Sequence, residues 1–320
     1  MARVALQRVR RAATVIDAMF LDTPQFESPP LSAEVGCSLT LKVETLNPVR
    51  SFKARGTEVV LAGMTASGHT SAVCASAGNL GLALAHSGSR RRVPVTVFAA
   101  ENANPLKVAR MRSAGATVHL EGPDIETPRA LAREHAESTG SYLVEDSLDL
   151  GTCEGAASIG LELAAATQSF DVVIVALGGG ALASGVGAVL RELSPSTEVI
   201  AVQPAGAPAM ALSWRRGSVV TTESVETIAD GVAGRFPIPE VLDDLLEVVD
   251  DVALVAETSI KAGMRILYRA AGLVVEPSAA LGVAAVLEDP GRFAGRRVAT
   301  VICGSNVAPE DFERWIGEST

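Results

Sequence analysis

From about residue 71 onward the chain alternates short β-branched runs with glycine-rich turns and Ala/Leu-rich helical stretches. The runs are Ser71–Cys74, Val93–Ala99, Ala116–Leu120, Asp171–Leu177, Glu198–Val202 and Arg297–Cys303. Parallel neighbours in a sheet need a crossover long enough to hold a helix, so strand, turn and helix repeated in series predict parallel sheets covered by helices. The expected fold class is α/β, with ligands held in the loops that follow strand carboxyl ends. After Pro105, Leu106, Val108, Ala109 and Met111 alternate with Lys107, Arg110 and Arg112 up to Gly115, which predicts a surface helix. Thr127 and Pro128 offer a cap and a first-turn proline for another, and Thr258–Ala271 reads as a third that ends at Gly272.

Length and charge narrow the function classes. A chain of 320 residues buries a sizeable core as two domains or one large α/β unit. With 27 Lys+Arg against 37 Asp+Glu and aromatics at 4%, a general attraction to nucleic acid is not expected. Cys37, Cys74, Cys153 and Cys303 lie far apart and form no C-x-x-C pair, so reduced thiols in a cytoplasmic protein are the simpler reading than zinc or disulfides. The first eight residues lack an apolar core before a cleavage site, and no run reaches membrane-spanning length, so neither secretion nor a membrane partner is expected. The chain stops soon after its last expected strand and one helix, so no appended C-terminal regulatory domain is expected.

Three loops carry the chemistry. Ser76-Ala77-Gly78-Asn79-Leu80-Gly81 lies between a strand and a helix expected near Leu82; backbone amides there suit a carboxylate, although such clusters are often plain turns. Gly178-Gly179-Gly180-Ala181 follows an apolar strand and brings several N–H donors close to a ligand, which suits a single phosphate. Its spacing does not fit the G-x-G-x-x-G of a dinucleotide site. Cys303-Gly304-Ser305-Asn306 ends a buried strand, where an inert buried cysteine is the plain alternative. Ahead of them, Ser51-Phe52-Lys53-Ala54-Arg55-Gly56 offers a lysine, and a lysine amine is a nucleophile only when neutral, so a working Lys53 needs a desolvated pocket or an aldehyde partner.

Together SFKARG (51–56), SAGNLG (76–81), GGGA (178–181), TIADGVA (227–233), EPSAA (276–280) and CGSN (303–306) resemble the fold-type II pyridoxal-phosphate enzymes, most closely the serine/threonine dehydratases (ammonia-lyases) and their relative serine racemase. The resemblance implies a tryptophan synthase β-like architecture of two open twisted sheets covered by helices. It implies a large domain of 1–70 and 149–320, a small mobile domain of 71–148, and a homodimer. Lys53 would bind the cofactor aldehyde and later take the Cα proton, and Phe52 would cover a ring face. Gly178, Gly179, Gly180 and Ala181 would hold the phosphate, and Asn79 the ring hydroxyl. Ser76, with Ala77, Gly78, Asn79 and Leu80, would bind the carboxylate of an amino acid substrate. Glu276 matches a glutamate near the cofactor, or is a structural strand-end carboxylate. Cys303 would face the pyridine nitrogen. A thiol there is no charge partner, so the ring is a weaker electron sink and prompt loss of a β-hydroxyl is favoured.

Departures from the pattern matter as well. Racemases of this group have a second serine where this chain has Ala77, which ranks racemization below elimination. Leu80 replaces a common histidine. Gln203 and Ala209 stand where some members bind a divalent cation, so no metal is expected, while a monovalent ion held by carbonyls stays open. Val144-Glu145-Asp146-Ser147 differs from the Pro-Phe-Asp-Asp type of ordinary dehydratases. A β-replacement synthase, a racemase and a non-catalytic binding protein of this fold are the rival readings.

Overall fold

The computed structural model describes residues 3–317. Its strands are β1 (Gln25–Glu27), β2 (Ser38–Val43), β3 (Ala72–Ala75), β4 (Val95–Ala99), β5 (Thr117–Leu120), β6 (Tyr142–Val144), β7 (Val172–Ala176), β8 (Glu198–Pro204), β9 (Asp251–Val255) and β10 (Arg297–Ile302). They form a six-stranded sheet in the order β1-β2-β10-β7-β8-β9 and a four-stranded sheet in the order β5-β4-β3-β6. All pairs are parallel except β1 with β2 at one edge. β7 is buried along its whole length, as befits a parallel strand with helices on both faces.

The six predicted strands are present within two residues of their expected limits. Four more, β1, β2, β6 and β9, were not foreseen. The helix after Pro105 runs to Ser113, and the one predicted from Thr258 spans Glu257–Ala271 with Gly272 in the left-handed conformation beyond it. Two expectations need correction. The helix at Glu126–Thr139 starts ahead of Thr127, after Ile125, and has no side-chain cap; Pro128 still falls in its first turn. The helix of the SAGNLG segment begins at Asn79 rather than near Leu82, so Asn79 and Leu80 are helical residues.

Helix packing on the larger sheet depends on glycine. The helices Lys53–Ala66, Leu150–Ala164 and Ala181–Leu193 stack on one another. A Cβ on Gly155 would lie 2.4 Å from Gly56 Cα, and one on Gly185 would lie 2.5 Å from Cys153 O. Backbones this close admit no side chain between them. The same interface buries Arg55, which is fully inaccessible and bonds Glu44 at 2.8 and 2.9 Å, Glu162 at 2.5 and 3.0 Å, and Ser158 at 2.9 Å. A buried charge needs such a complete set of partners to be tolerated.

Candidate functional site

β2, β10 and β7 are neighbours, and each delivers one part of the site from its carboxyl end. β10 pairs with β2 so that Ile302 lies opposite Val43, and the chain leaving β2 returns beside β10: Phe52 N donates to Cys303 O at 3.1 Å. Lys53 follows as the first residue of its helix, its Nζ 4.8 Å from the Phe52 ring centre. Burial, and next the Glu276 carboxylate, push the Cys303 thiol far up, so it is neutral. After β7 comes the Gly178–Gly180 turn and then the Ala181 helix. Lys53, Phe52, Cys303, the three glycines and Ala181 all line one cleft of about 590 Å³ between the two sheets.

The glycine turn is fitted on several sides. A Cβ on Gly178 would meet Gly231 O at 3.1 Å, one on Gly179 would meet Ser147 Oγ at 2.7 Å, and Gly180 has φ +109 with Val241 Cγ1 in the way of any side chain. Ser147 is buried with φ 67, an uncommon left-handed conformation for serine, and its Oγ accepts from Ala181 N at 3.1 Å. One of the four amides expected to meet a phosphate is thereby engaged by a hydroxyl that still has its own proton to give.

The smaller sheet supplies the opposite wall. β3 and β6 are adjacent, and Ser76 to Leu80 follow the first while Asp146 and Ser147 follow the second. Ser76 Oγ accepts from Gly78 N at 3.2 Å and Gly81 N at 3.1 Å, so it shapes the turn that opens the Asn79 helix. Asn79 Nδ2 donates to Glu276 Oε1 at 2.8 Å, and Asn79 Oδ1 accepts from Asn306 Nδ2 at 2.8 Å. Asn306 N also donates to Glu276 Oε2 at 3.0 Å. Glu276 does not end a strand, as the sequence suggested; it precedes the short 3-10 turn Pro277–Ala280. Burial pushes its carboxyl up, opposed chiefly by the charge of Lys107.

Several residues of the cleft escaped the sequence reading. Asp146 Oδ2 accepts from Lys53 Nζ at 2.5 Å, and Lys107 Nζ reaches Asp230 Oδ2 at 2.5 Å across the two walls. Ser278 Oγ is buried in the lining with no protein partner. Asp230, Ser278 and Asn306 lie inside motifs recognisable in the sequence, so a signal existed; Lys107 had none beyond its place on an amphipathic helix. Gln203 Oε1 accepts from Ala211 N at 3.0 Å, and among the described residues no three His, Cys, Asp or Glu gather as a metal site. A more open groove of about 720 Å³ runs along the β1 edge, but its Lys42 and Glu162 are spent on each other, on Thr23 O and on Arg55.

A family model described as pyridoxal-phosphate dependent enzyme matches residues 16–304. An L-threonine ammonia-lyase of Thermotoga maritima is 31% identical over 316 residues, covering 98% of this chain and 79% of its own. A serine racemase of Oryza sativa subsp. indica is 30% identical, covering 94% of this chain and 91% of its own. The solved structure of maize serine racemase superposes with a TM-score of 0.90 at 27% identity, covering 97% of this chain and 96% of its own.

Proposed function

The chain belongs to the pyridoxal-phosphate dependent enzymes, in their ammonia-lyase and racemase branch, and we propose that it is a dehydratase that converts L-threonine, L-serine or a related hydroxyamino acid to a 2-oxo acid and ammonia. The cleft suits the cofactor: the glycine turn leaves room where any side chain would intrude, and Ser278 Oγ is a buried hydroxyl awaiting a partner. When bound, pyridoxal phosphate supplies an electron-accepting ring conjugated to the substrate Cα.

In this reading Lys53 is the anchor for the cofactor aldehyde and, once free, takes the Cα proton on Nζ. The amides of Gly178, Gly179 and Gly180 at the start of the Ala181 helix hold the phosphate, and the Ser147 hydroxyl serves in place of the engaged Ala181 amide. Ser76 orients the amides of its turn toward the substrate carboxylate, with Ala77, Gly78, Asn79 and Leu80 around it. Phe52 packs on the ring. Asn79 keeps one amide hydrogen for the ring hydroxyl after serving Glu276. Glu276 fixes Asn79 and Asn306. Residues 71–148 close as a small domain over the substrate and exclude water.

The observation that carries elimination over racemization is Ala77, which lines the cleft without any group able to carry a proton. The neutral Cys303 thiol supports the same choice, because it leaves the ring a weaker electron sink. A cytoplasmic homodimer is part of the same proposal; four unpaired cysteines agree with a reducing compartment. The test is 2-oxo acid release by the cofactor-loaded protein from L-serine, L-threonine and threo-3-hydroxyaspartate, with Lys53→Ala as control. Product that vanishes in the variant supports the reading, whereas a saturated enzyme that releases none from any hydroxyamino acid, or that yields only D-serine, overturns it.

A further inference from the structure

Asp146 lies just beyond β6, and its contact with Lys53 joins residues 93 apart in sequence and on different sheets. One carboxylate oxygen is 2.5 Å from Nζ; the other, Oδ1, is buried without a partner. The lysine side chain is 16% exposed and the aspartate 32%, so solvent screens the pair only in part. The segment 144–147 differs from the Pro-Phe-Asp-Asp dehydratase pattern at its other positions but keeps the aspartate at 146.

The groups around the pair leave it electrostatically simple. Cys303 feels the charges of Glu276, Lys53 and Glu44, and Cys74 on β3, with Asp149 and Cys153 at the start of the Leu150 helix, feels that of Asp146. Burial pushes the Cys74 thiol to about 12 and Cys153 to about 11, and that of Cys303 higher still, so no thiol is charged near neutrality. Asp149 has the same sign as Asp146 and is held by Gly151 N and Tyr142 Oη at 2.9 Å each. Arg3 also approaches, bonding Ser147 O and Leu148 O, but its charge is paired with Asp244, and Lys53 is the cation in contact with Asp146.

We propose that Asp146 is a positioning residue for Lys53, the counter-ion that keeps Nζ aimed into the cleft and stabilises a proton on it. The proposal rests on the reading of Lys53 as cofactor anchor and base. A base that takes the Cα proton becomes an ammonium, and a carboxylate at ion-pair distance stabilises that charged product where a buried site alone would penalise it. With pyridoxal phosphate bound, Asp146 would likewise favour a proton on the Lys53 nitrogen that holds it.

The experiment compares the holoenzyme with Asp146→Asn, Asp146→Glu and Asp146→Ser. Borohydride reduction and peptide mass mapping first establish that the cofactor is fixed to Lys53. The visible absorbance of each protein is then titrated from about pH 6 to about pH 10. In the Asn and Ser variants the band of the protonated linkage is expected to fade at a pH lower by about one unit, the tenfold change that one unit represents. kcat should fall about tenfold with KM little changed, and Asp146→Glu should restore both. Superimposable titrations of wild type and both neutral variants overturn the proposal while leaving Lys53 as anchor. Cofactor that is not fixed to Lys53 overturns the anchor reading and this one with it. The Ser variant serves if the Asn variant does not fold.

Discussion

Asn79 Nδ2 donates to Glu276 Oε1 at 2.8 Å, and through this bond the first turn of a helix on the smaller sheet is tied to a buried carboxylate on the larger one. The carboxylate rests directly on Gly304, where a Cβ would lie 2.4 Å from Oε1. Asn306 completes the bridge by bonding both partners, and Arg110 Nη1 donates to Asn306 Oδ1 at 2.7 Å. The two walls of the cleft thus share one hydrogen-bond network.

Glu276 should leave a signature in the pH dependence of stability. Its folded-state carboxyl is pushed up, mainly by burial. Stability from such a group is fully present below the ordinary glutamate value near 4.5 and is lost as pH rises through the folded value. Denaturant unfolding of wild type and Glu276→Gln at about pH 4, about pH 5.5 and about pH 7 should show wild type losing ground to the variant as pH rises. A constant difference would refute the assignment.

Arg55→Met should destabilise the protein by about 3–5 kcal/mol, because it leaves Glu44, buried to the same degree, without its cation. The change is read as a lower denaturant midpoint. Arg55→Met combined with Glu44→Gln should recover part of the loss, since the uncompensated charge is then gone.

Gly155→Ala adds a methyl 2.4 Å from Gly56 Cα and from Arg55 O. Backbone cannot swing aside as a flexible side chain does, so the cost should reach the upper part of the about 1–3 kcal/mol typical of overpacking. Thermal unfolding measures it. Cofactor affinity should fall as well, because the displaced helix carries Lys53.

The Lys107–Asp230 pair should be weak despite its short contact. Lys107 is 6% exposed but Asp230 is 59% exposed, and an ion pair open to water on one side contributes about 0.2–1 kcal/mol. A double-mutant cycle with Lys107→Met and Asp230→Asn should give a coupling in that range that shrinks in high salt. A coupling of several kcal/mol would mean the walls are locked rather than latched.

What could be read from the residues follows from range. Val172–Ala176 announces itself as an uninterrupted apolar run, Val95–Ala99 as one broken only by Thr96, and the motif glycines mark turns, so the α/β class and the central part of the cleft lining were legible. β2 was hidden because its pattern includes Lys42, a lysine that is buried only because Thr23 O and Glu162 meet it in three dimensions. β1 and β6 have three residues each, too few for a period to show, and β9 opens on Asp251, directly after Asp250, which masks a short apolar run. The contacts of Asp146 and Lys107 depend on strand order and on how two sheets face each other, which no local pattern encodes. Glu276 was legible as a motif residue but not as the centre of a network, because its partners come from positions 79 and 306.

The glycine contacts beneath the Lys53 helix also divide the chain by its freedom to evolve. At Gly56, Gly155 and Gly185 backbone meets backbone, and almost any substitution is closed off. Ala77, Leu80 and Phe236 line the cleft without such constraint, Phe236 with 42% of its surface still open to water. A population selected on a new amino acid should therefore gather its changes at those three positions and leave the helix stack untouched, so that the protein exchanges one substrate for another without reinventing its chemistry.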